Sequence, residues 1–243
     1  MPTIPERIVL VTGANKGIGF EACRQLLPKG LFVLLGSRNA GRGAEAVKAL
    51  GSPENLELLV IDVASPGSVA AAAKAVEERF GRLDILLNNA GGNYDMHQTA
   101  SQADFSYIME TLEMNFLGTW RVIQAFLPLL RKGTCPRIVN VSSTAGSFGD
   151  PRYGLTTGEG RVTAYGSAKA ALNALTVKLA AELKKEGIPV NAVCPGFTAT
   201  HPGMKEMGAR PVEEGTAGIT WLSLLEGKEP TGKFFRDEKE IPW

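Results

Sequence analysis

Short apolar runs alternate with longer amphipathic stretches along nearly the whole chain, and this alternation constrains the fold more than any other feature. The apolar runs contain many β-branched residues and no polar alternation, which indicates strands buried on both faces of a parallel sheet. The predicted strands are Ile8–Val11, Leu31–Leu35, Leu56–Ile61, Ile85–Leu87, Arg137–Val141 and Val190–Val193, with Gly232–Phe235 as a seventh strand at one edge.

The stretches between these runs carry apolar residues at helical spacing, as Ile18, Ala22 and Leu26 do ahead of Gly30. The predicted helices are Ile18–Lys29, Ala44–Leu50, Val69–Phe80, Phe105–Arg131, Ala164–Lys185 and Val212–Leu225. Alternating strands and helices favour a doubly wound α/β Rossmann fold, with a mostly parallel seven-stranded sheet and helices on both faces. No linker or repeat divides the chain, so we expect one domain over residues 1–243.

The charge balance, the cysteines and the histidines exclude several classes of function. The 26 basic and 25 acidic residues give a net charge of +1, and the basic residues form no stripe for a nucleic-acid backbone. Cys23, Cys135 and Cys194 are widely spaced and the histidines are only two, so we expect neither a disulfide framework nor a metal site. No stretch approaches the ~20 apolar residues of a membrane span, and the N-terminus lacks a signal-peptide core, so we expect a cytoplasmic protein without a membrane partner.

A glycine-rich segment, Thr12–Gly19, joins the first strand to the first helix. Its glycines allow a tight turn and a close approach to a pyrophosphate, which the free N–H groups of the helix N-terminus then bind. The spacing is G-x-x-x-G-x-G rather than G-x-G-x-x-G, so by itself it also fits an ordinary glycine-rich turn. Its place in the alternating chain favours a dinucleotide-binding loop, with candidate contacts at Gly13, Asn15, Lys16, Gly17, Ile18 and Gly19.

The end of the second strand indicates which dinucleotide binds. NAD-binding folds usually place Asp or Glu there to bind the ribose 2′-hydroxyl, whereas Leu35–Asn39 contains no acid and carries Arg38. Arg38 and Lys16 suit a 2′-phosphate, and the alternative is that both are surface charges. The sequence therefore predicts NADP(H) rather than NAD(H). Asp62 and Val63, at the end of the third strand, are expected beside the adenine.

Tyr165 and Lys169 are spaced i, i+4 on a predicted helix, which places both side chains on one face. A free Tyr has a pKa of about 10, and a nearby Lys cation lowers it toward the range useful for proton transfer. Such a pair alone is common and usually structural. Here the fifth strand ends in Ser142 and Ser143, where a site at the carboxyl edge of the sheet requires polar groups. Further segments of this kind are Asn88–Gly91, Asn115 and Cys194–Thr200.

Taken in order, these segments resemble the short-chain dehydrogenase/reductase family over nearly the whole chain. The matching motifs are Thr12–Gly19, Asp62, Asn88–Gly91, Asn115, Ser143, Tyr165-x-x-x-Lys169 and Pro195–Gly196. Within the family, Lys16, Arg38 and the segment Gly232–Asp237 are most similar to the NADPH-dependent carbonyl reductases. The resemblance implies reduction of a ketone or aldehyde by hydride from NADPH, or the reverse oxidation of an alcohol.

The resemblance also implies a role for each residue of the site. Tyr165 is expected to protonate the carbonyl oxygen, while Lys169 lowers the Tyr165 pKa and binds the nicotinamide ribose. Ser143, rather than Ser142, is expected to orient the substrate oxygen. Asn115 is expected to hold a water that relays protons to Lys169, and the alternative is a polar residue that kinks the helix. The remaining candidate cofactor contacts are Asn89, Ala90, Gly91, Pro195, Gly196, Thr198 and Thr200.

The segment Ser147–Gly160, which precedes Tyr165, departs from the family because it is longer than usual. A still longer insertion at this place is associated with monomers among carbonyl reductases, so a homodimer or homotetramer is expected but a monomer stays open. Loops after the strands should form the substrate walls. Their aromatic and Met residues predict an apolar or aromatic substrate, contacted by Ser143, Phe148, Tyr153, Tyr165 and Phe197.

Other functions on this fold fit the sequence less well. A catalytically weak NADPH-binding sensor or scaffold usually lacks the Tyr or the Lys, and both are present. An enoyl reductase spaces these two residues further apart, and a halohydrin lyase replaces the glycine loop with a halide pocket. A serine hydrolase requires G-x-S-x-G, which is absent.

Overall fold

The computed structural model describes residues 7–96 and 98–243. Residues 1–6, which entered the expectation of a cytoplasmic protein, and His97 lie outside this range. The α-helices of the described residues are Gly17–Leu26 (α1), Ala40–Ala49 (α2), Pro66–Phe80 (α3), Phe105–Leu112 (α4), Gly118–Leu130 (α5), Thr163–Leu183 (α6) and Val212–Leu224 (α7). None of these helices is long and apolar enough to cross a membrane.

Within the described part of the chain, eight strands form one sheet: Ile8–Val11 (β1), Phe32–Ser37 (β2), Leu56–Val60 (β3), Ile85–Asn88 (β4), Arg137–Val141 (β5), Val190–Val193 (β6), Phe234–Arg236 (β7) and Lys239–Glu240 (β8). Their spatial order is β3-β2-β1-β4-β5-β6-β7-β8. The first seven pair in parallel, and β8 pairs antiparallel to β7. The mostly parallel α/β fold predicted from the alternation is therefore confirmed.

The two faces of the sheet carry separate hydrophobic layers. Successive side chains of a strand point to opposite faces. Accordingly, Ile8 and Leu10 of β1 pack into a layer shared with α3, α5 and α6. Val9 and Val11 pack into a second layer shared with α1, α2 and α7. Because both faces are covered, the strands in the middle of the sheet are mainly apolar, as β1 and β4 are.

The chain reverses its direction of travel across the sheet between β1 and β4. The strands β1, β2 and β3 proceed outward to one side, and β4 then returns to pair with the other side of β1. In open α/β sheets, ligands bind in the crevice outside the carboxyl ends of the strands at such a switch point. This edge therefore defines where a site is to be sought.

The C-terminal part of the sheet differs from the prediction. The sheet has eight strands rather than seven, and β7 is not an edge because the two-residue strand β8 pairs with it. A turn at Asp237 and Glu238, both with positive φ, makes this return. A two-residue strand shows no hydrophobic periodicity, which explains why the sequence did not indicate it.

The helix predicted over Phe105–Arg131 is interrupted by a π-helical segment at Glu113–Leu117, between α4 and α5. Asn115 explains the interruption. Its Nδ2 donates to the carbonyl oxygen of Thr111 at 2.9 Å, the acceptor that a backbone N–H four residues later would use in an α-helix. A side chain inserted into this ladder deforms a helix, and π-bulges are frequent at functional sites.

Candidate active site

The glycine loop after β1 is tied to the end of β4 across the switch point. The hydroxyl oxygen of Thr12 accepts hydrogen bonds from the backbone N–H groups of Asn89 and Ala90, each at 3.0 Å. In return, Nδ2 of Asn89 donates to the carbonyl oxygens of Thr12 at 2.9 Å and Gly13 at 3.2 Å. These four bonds hold the glycine loop and the end of β4 together at the base of the crevice.

Three glycines let this loop approach its neighbours closely. A Cβ on Gly13, whose φ is 64°, would lie 2.8 Å from the Cα of Ala90, and one on Gly19 would lie 2.5 Å from Nδ2 of Asn89. A Cβ on Gly17 would point toward Thr200 at 3.6 Å. The loop therefore lies between the end of β4 and the segment after β6. We call the narrow space beside these three glycines the cradle, and a larger side chain at any of the three positions would fill it.

The start of α1 and the end of β2 present positive charge at this cradle. No acidic residue lies in the first turn of α1, and no side chain caps it. Lys16 and Arg38 are exposed and have no carboxylate partner among the residues that the structure describes. Free N–H groups and two unpaired cations fit a polyanionic ligand. Asn15 and Ile18, predicted contacts in the same loop, are partly exposed.

Asp62 and Val63 follow β3 at the far side of the crevice. The carboxylate of Asp62 accepts from the N–H of Ala64 at 3.1 Å, and one side of its backbone is held by Ser68, whose Oγ accepts from the Asp62 N–H at 2.9 Å. The carbonyl oxygen of Val63 accepts from Arg121 at 2.6 Å. Asp62 is only partly buried, so its carboxylate retains access to the crevice.

The helix α6 carries Tyr165 and Lys169 against the end of β5. Both side chains are almost fully buried. The ammonium of Lys169 donates to the carbonyl oxygen of Val141 at 2.9 Å, and its Nζ lies 5.5 Å from the centre of the Tyr165 ring. The predicted i, i+4 pair therefore faces the sheet edge where β5 ends.

The two serines after β5 have different surroundings. Ser142 is buried, and its hydroxyl donates to Oδ1 of Asn173 at 2.5 Å. Ser143 is half-buried, accepts from the N–H of Ala145 at 3.1 Å and interacts with the hydroxyl of Tyr165. Ser142 thus has its hydroxyl committed inside the protein, whereas Ser143 presents its hydroxyl to the same space as Tyr165.

Asn115 lies next to Lys169 beneath the end of β4. A Cβ on Gly91 would lie 2.7 Å from Oδ1 of Asn115 and 3.6 Å from Nζ of Lys169, so both polar groups border the same small space. The Asn115 amide donates to Gly92 O at 2.8 Å and accepts from Gly92 N at 3.1 Å. The side chain therefore fixes the loop after β4 and kinks the helix, and it also reaches the vicinity of the Lys169 ammonium.

Burial dominates the titration of this pair. It raises the pKa of Tyr165 well above its usual value, Tyr94 adds to this rise, and the hydrogen bond with Ser143 opposes it. Burial lowers the pKa of Lys169 to about 8. The net lowering of the Tyr165 pKa expected from Lys169 is wrong, because desolvation of the phenolate outweighs the groups that stabilise it. Tyr165 is consequently protonated at neutral pH.

The turn after β6 supplies the remaining predicted cofactor contacts. Gly196 has a φ of 69°, and the guanidinium of Arg210 bonds the carbonyl oxygen of Pro195. Thr198 is buried, and its hydroxyl donates to the same carbonyl at 2.8 Å. Thr200, by contrast, lies against Gly17 of the glycine loop.

Phe148, Tyr153 and Phe197, the predicted substrate-wall residues, are all exposed. The segment with Phe148 and Tyr153 is anchored from within by Asp150, whose carboxylate accepts from the N–H groups of Arg152 and Tyr153 at 2.9 and 2.8 Å. It is anchored from outside by the C-terminal residues. Oγ of Ser147 donates to Pro242 O at 3.0 Å, and the N–H of Gly149 donates to Trp243 O at 2.9 Å.

Two further residues reach the site although the sequence indicated little about them. Tyr94 stacks on Tyr165, with ring centres 4.4 Å apart, and Asp95 accepts from the N–H groups of Ala164 and Tyr165 at 2.7 and 3.1 Å. Tyr94 lies in the loop after β4, one of the loops expected to form the substrate walls, and the sequence assigned no role to Asp95. An aspartate that caps a helix about 70 residues away leaves no local pattern to detect.

The fold and this arrangement are those of the doubly wound α/β class that includes nicotinamide-dependent dehydrogenases. A family model described as short chain dehydrogenase matches residues 7–209. The chain therefore belongs to the short-chain dehydrogenase/reductase family. Among the residues that the structure describes, no three His, Cys, Asp or Glu side chains lie close enough together to hold a metal ion.

Individual relatives are similar over nearly their full length. The chain is 37% identical to a (+)-neomenthol dehydrogenase of Arabidopsis thaliana, covering 94% of this chain and 95% of the relative. It is 34% identical to a (−)-isopiperitenone reductase of Mentha piperita, over 97% and 98%. The structure of NADPH-bound carbonyl reductase from chicken fatty liver superposes with a TM-score of 0.85 at 31% identity, over 98% of this chain and all of that one.

Proposed function

We propose that this protein reduces a ketone or aldehyde with NADPH, and oxidises the corresponding alcohol in the reverse direction. The observation that carries the proposal is the grouping of the Ser143 and Tyr165 hydroxyls with the Lys169 ammonium at the sheet edge that also holds the glycine loop. Relatives named as a dehydrogenase and reductases, and a neighbour solved with NADPH, support it.

NADP(H) fits the crevice. The cradle at Gly13, Gly17 and Gly19 and the uncapped start of α1 would receive the pyrophosphate, and the unpaired cations of Lys16 and Arg38 would receive the 2′-phosphate. The further contacts in this proposal are Asn15, Ile18, Asp62, Val63, Asn89, Ala90, Gly91, Tyr165, Lys169, Pro195, Gly196, Thr198 and Thr200. When bound, the nicotinamide supplies or accepts the hydride.

The protein's own part is to handle the proton. Ser143 donates a hydrogen bond that orients the carbonyl oxygen, and Tyr165 gives its proton to that oxygen as negative charge develops there. The raised pKa of Tyr165 keeps this proton in place at neutral pH until the substrate oxygen becomes basic enough to take it. The Lys169 cation stabilises the phenolate that remains. Asn115 borders Lys169 and is placed to hold a water that returns the proton.

Steady-state assays test the proposal. Purified protein is mixed with NADPH and apolar or aromatic ketones and aldehydes, and the loss of reduced cofactor is followed with and without each carbonyl compound. Turnover with at least one compound, carried by NADPH better than by NADH, is the expected result. Tight NADPH binding without turnover on any of them would instead favour a sensor or scaffold function.

An apolar substrate is part of the proposal because of the substrate mouth, by which we mean the opening formed by the loops that carry Phe148, Phe197 and Met207. These three side chains are all exposed. Aromatic and Met side chains offer apolar contact area with few polar groups to satisfy. Within the panel, aryl ketones are therefore expected to have lower KM values than charged keto acids of similar size. Equal KM values for both would contradict the apolar assignment.

We also propose a homo-oligomer. A mainly apolar groove is formed by the π-helical segment, α5 and α6, and Trp120 in it is 40% exposed. Its apolar lining includes Phe116, Trp120, Leu175 and Leu179, and Lys178 and Glu182 also line it. Exposed apolar surface of this kind is typical of an interface. Light scattering after size-exclusion chromatography is expected to give a dimer or tetramer, and Trp120→Glu is expected to shift it toward monomer.

A cytoplasmic location completes the proposal. All three cysteines, Cys23, Cys135 and Cys194, are free thiols. Unpaired cysteines suit a reducing compartment. Fractionation of cells that produce the protein should recover it with the cytosol, and recovery with membranes or in the secreted fraction would contradict this location.

A further inference from the structure

Tyr94 covers the hydroxyl end of the proposed proton donor. Its ring lies on that of Tyr165 with centres 4.4 Å apart and an interplanar angle of 40°, and the two hydroxyl oxygens are 3.5 Å apart. Tyr165 is 6% exposed, whereas Tyr94 is 54% exposed. A substrate that approaches the Tyr165 hydroxyl must therefore pass along Tyr94.

The fold holds Tyr94 in this position. Asp95, the next residue, is 4% exposed, and its two carboxylate oxygens accept from the backbone N–H groups of Ala164 and Tyr165. Its carbonyl oxygen also accepts from the N–H of Val162 at 3.3 Å. The main chain beside Tyr94 is thus bonded to the first turn of the helix that carries Tyr165, so the two phenols keep a fixed spacing.

The hydrogen-bond pattern leaves Tyr94 available to a ligand. Tyr165 donates to the Tyr94 oxygen at 3.5 Å, which is long for such a bond, so a substrate carbonyl can replace that contact easily. The hydrogen of the Tyr94 hydroxyl is not used by Tyr165. Once Tyr165 donates to the substrate, Tyr94 has both a donor and an acceptor position directly beside the reacting oxygen.

The spacing of the two phenols matches a particular substrate geometry. Oxygens on adjacent carbons of a small molecule lie roughly 3 Å apart, given ordinary C–C and C–O bond lengths. The hydroxyls of Tyr94 and Tyr165 are separated by a similar distance, 3.5 Å. Phe148, Tyr153 and Phe197 are also exposed at the mouth. Of these three, Phe148 and Phe197 have no polar group to offer a substrate.

We propose that Tyr94 determines specificity by hydrogen-bonding a second oxygen on the carbon next to the reacting carbonyl, which favours 1,2-diketones and α-hydroxyketones over simple ketones. This inference rests on the proposed carbonyl reduction, with Tyr165 binding the reacting oxygen. Tyr94 donates to a neighbouring carbonyl and can also accept from a neighbouring hydroxyl. No chemical step is assigned to Tyr94, because its contribution is to the orientation of the substrate.

The test compares 3,4-hexanedione with 3-hexanone, which share a carbon skeleton and differ in the second oxygen. The measured quantity is the ratio of kcat/KM for the dione to that for the ketone, with NADPH at saturation. Tyr94→Phe keeps the ring on Tyr165 and removes the hydroxyl. Tyr107→Phe, on α4, removes a hydroxyl from a half-buried tyrosine to which the proposal assigns no substrate contact, and it serves as the control.

The ratio is expected to fall about 3- to 10-fold in Tyr94→Phe, the value of one ordinary hydrogen bond, and to stay unchanged in Tyr107→Phe. A ratio in Tyr94→Phe equal to that of the wild type would overturn the inference, even if both substrates react more slowly. Reduction of 3-hexanone by the wild type tests the proposed function separately. If the wild type reduces neither compound and no other carbonyl compound, the proposed function fails and this inference fails with it.

Discussion

The two halves of the crevice are constructed differently. Around β1 and β2, the cofactor half is built on one continuous segment, the glycine loop and the start of α1, and this segment is fastened to the end of β4 by Thr12 and Asn89. The substrate half is made by loops that meet from distant parts of the chain, as Asp95 does with Tyr165 and Ser147 with Pro242. The glycine loop itself can therefore be recognised from contiguous residues, whereas the substrate half depends on several loops at once.

Replacing Tyr165 by Phe should produce the largest difference between the effect on turnover and the effect on cofactor binding. The variant keeps the ring and loses the proton donor, so kcat is expected to fall by at least about 100-fold. The Kd for NADPH, measured by fluorescence titration, should stay within a factor of about three. Near-wild-type turnover in this variant would refute the role assigned to Tyr165.

Removing Arg38 tests the cofactor half alone. Arg38→Ala is expected to raise the Kd for NADPH roughly 10- to 100-fold, because charge-assisted hydrogen bonds to the 2′-phosphate are lost. The Kd for NADH should be unaffected, and Lys29→Ala, an exposed cation in the turn after α1, should change neither value. If the wild type binds NADH as tightly as NADPH, the assignment of Arg38 and Lys16 to the phosphate is wrong.

Asp95→Ala should disturb mainly the substrate half, because Asp95 bonds the first turn of α6 and not the glycine loop. Loss of the cap costs about 1 kcal/mol, which lowers Tm by roughly 2–4 °C. The first turn of α6 also loses its anchor, so kcat is expected to fall about tenfold through displacement of Tyr165.

Asp104→Ala is the matched control for this variant. Asp104 caps α4 through the N–H of Ser106 at 2.7 Å and is exposed. It should lower Tm by no more than Asp95→Ala does and leave kcat unchanged. Equal effects of the two variants on kcat would mean that Asp95 has only a stabilising role.

The smallest of the expected effects is on the pH dependence of kcat/KM, which tests the charge of Lys169. Burial lowers the pKa of Lys169 to about 8, so the ammonium is present below that pH and is lost above it. We expect kcat/KM for reduction to be level below pH 8 and to decline above it. In Lys169→Arg, whose guanidinium stays charged, the remaining activity should show no decline near pH 8. The same inflection in this variant would assign it to another group.

The features that the sequence predicts correctly are the ones set by neighbouring residues. The parallel sheet follows from the apolar strands. Local spacing also places the glycine loop after β1 and puts Tyr165 and Lys169 on one helix, while the roles of these residues stay predictions. The Tyr94–Tyr165 stack, the Asp95 cap and the pairing of β8 depend on contacts that form only in the folded chain. The predicted lowering of the Tyr165 pKa is wrong for the same reason, because the desolvation that raises this pKa depends on packing from several elements.

The bonds from Ser147 and Gly149 to the last two residues have a consequence for synthesis of the protein. The loop ahead of Tyr165 is held by the carbonyl oxygens of Pro242 and Trp243. During translation the glycine loop and all the strands that flank it emerge well before those residues do. A nascent chain can therefore form its dinucleotide cradle while the loop ahead of Tyr165 still lacks these two bonds, which form only once Pro242 and Trp243 have been synthesised.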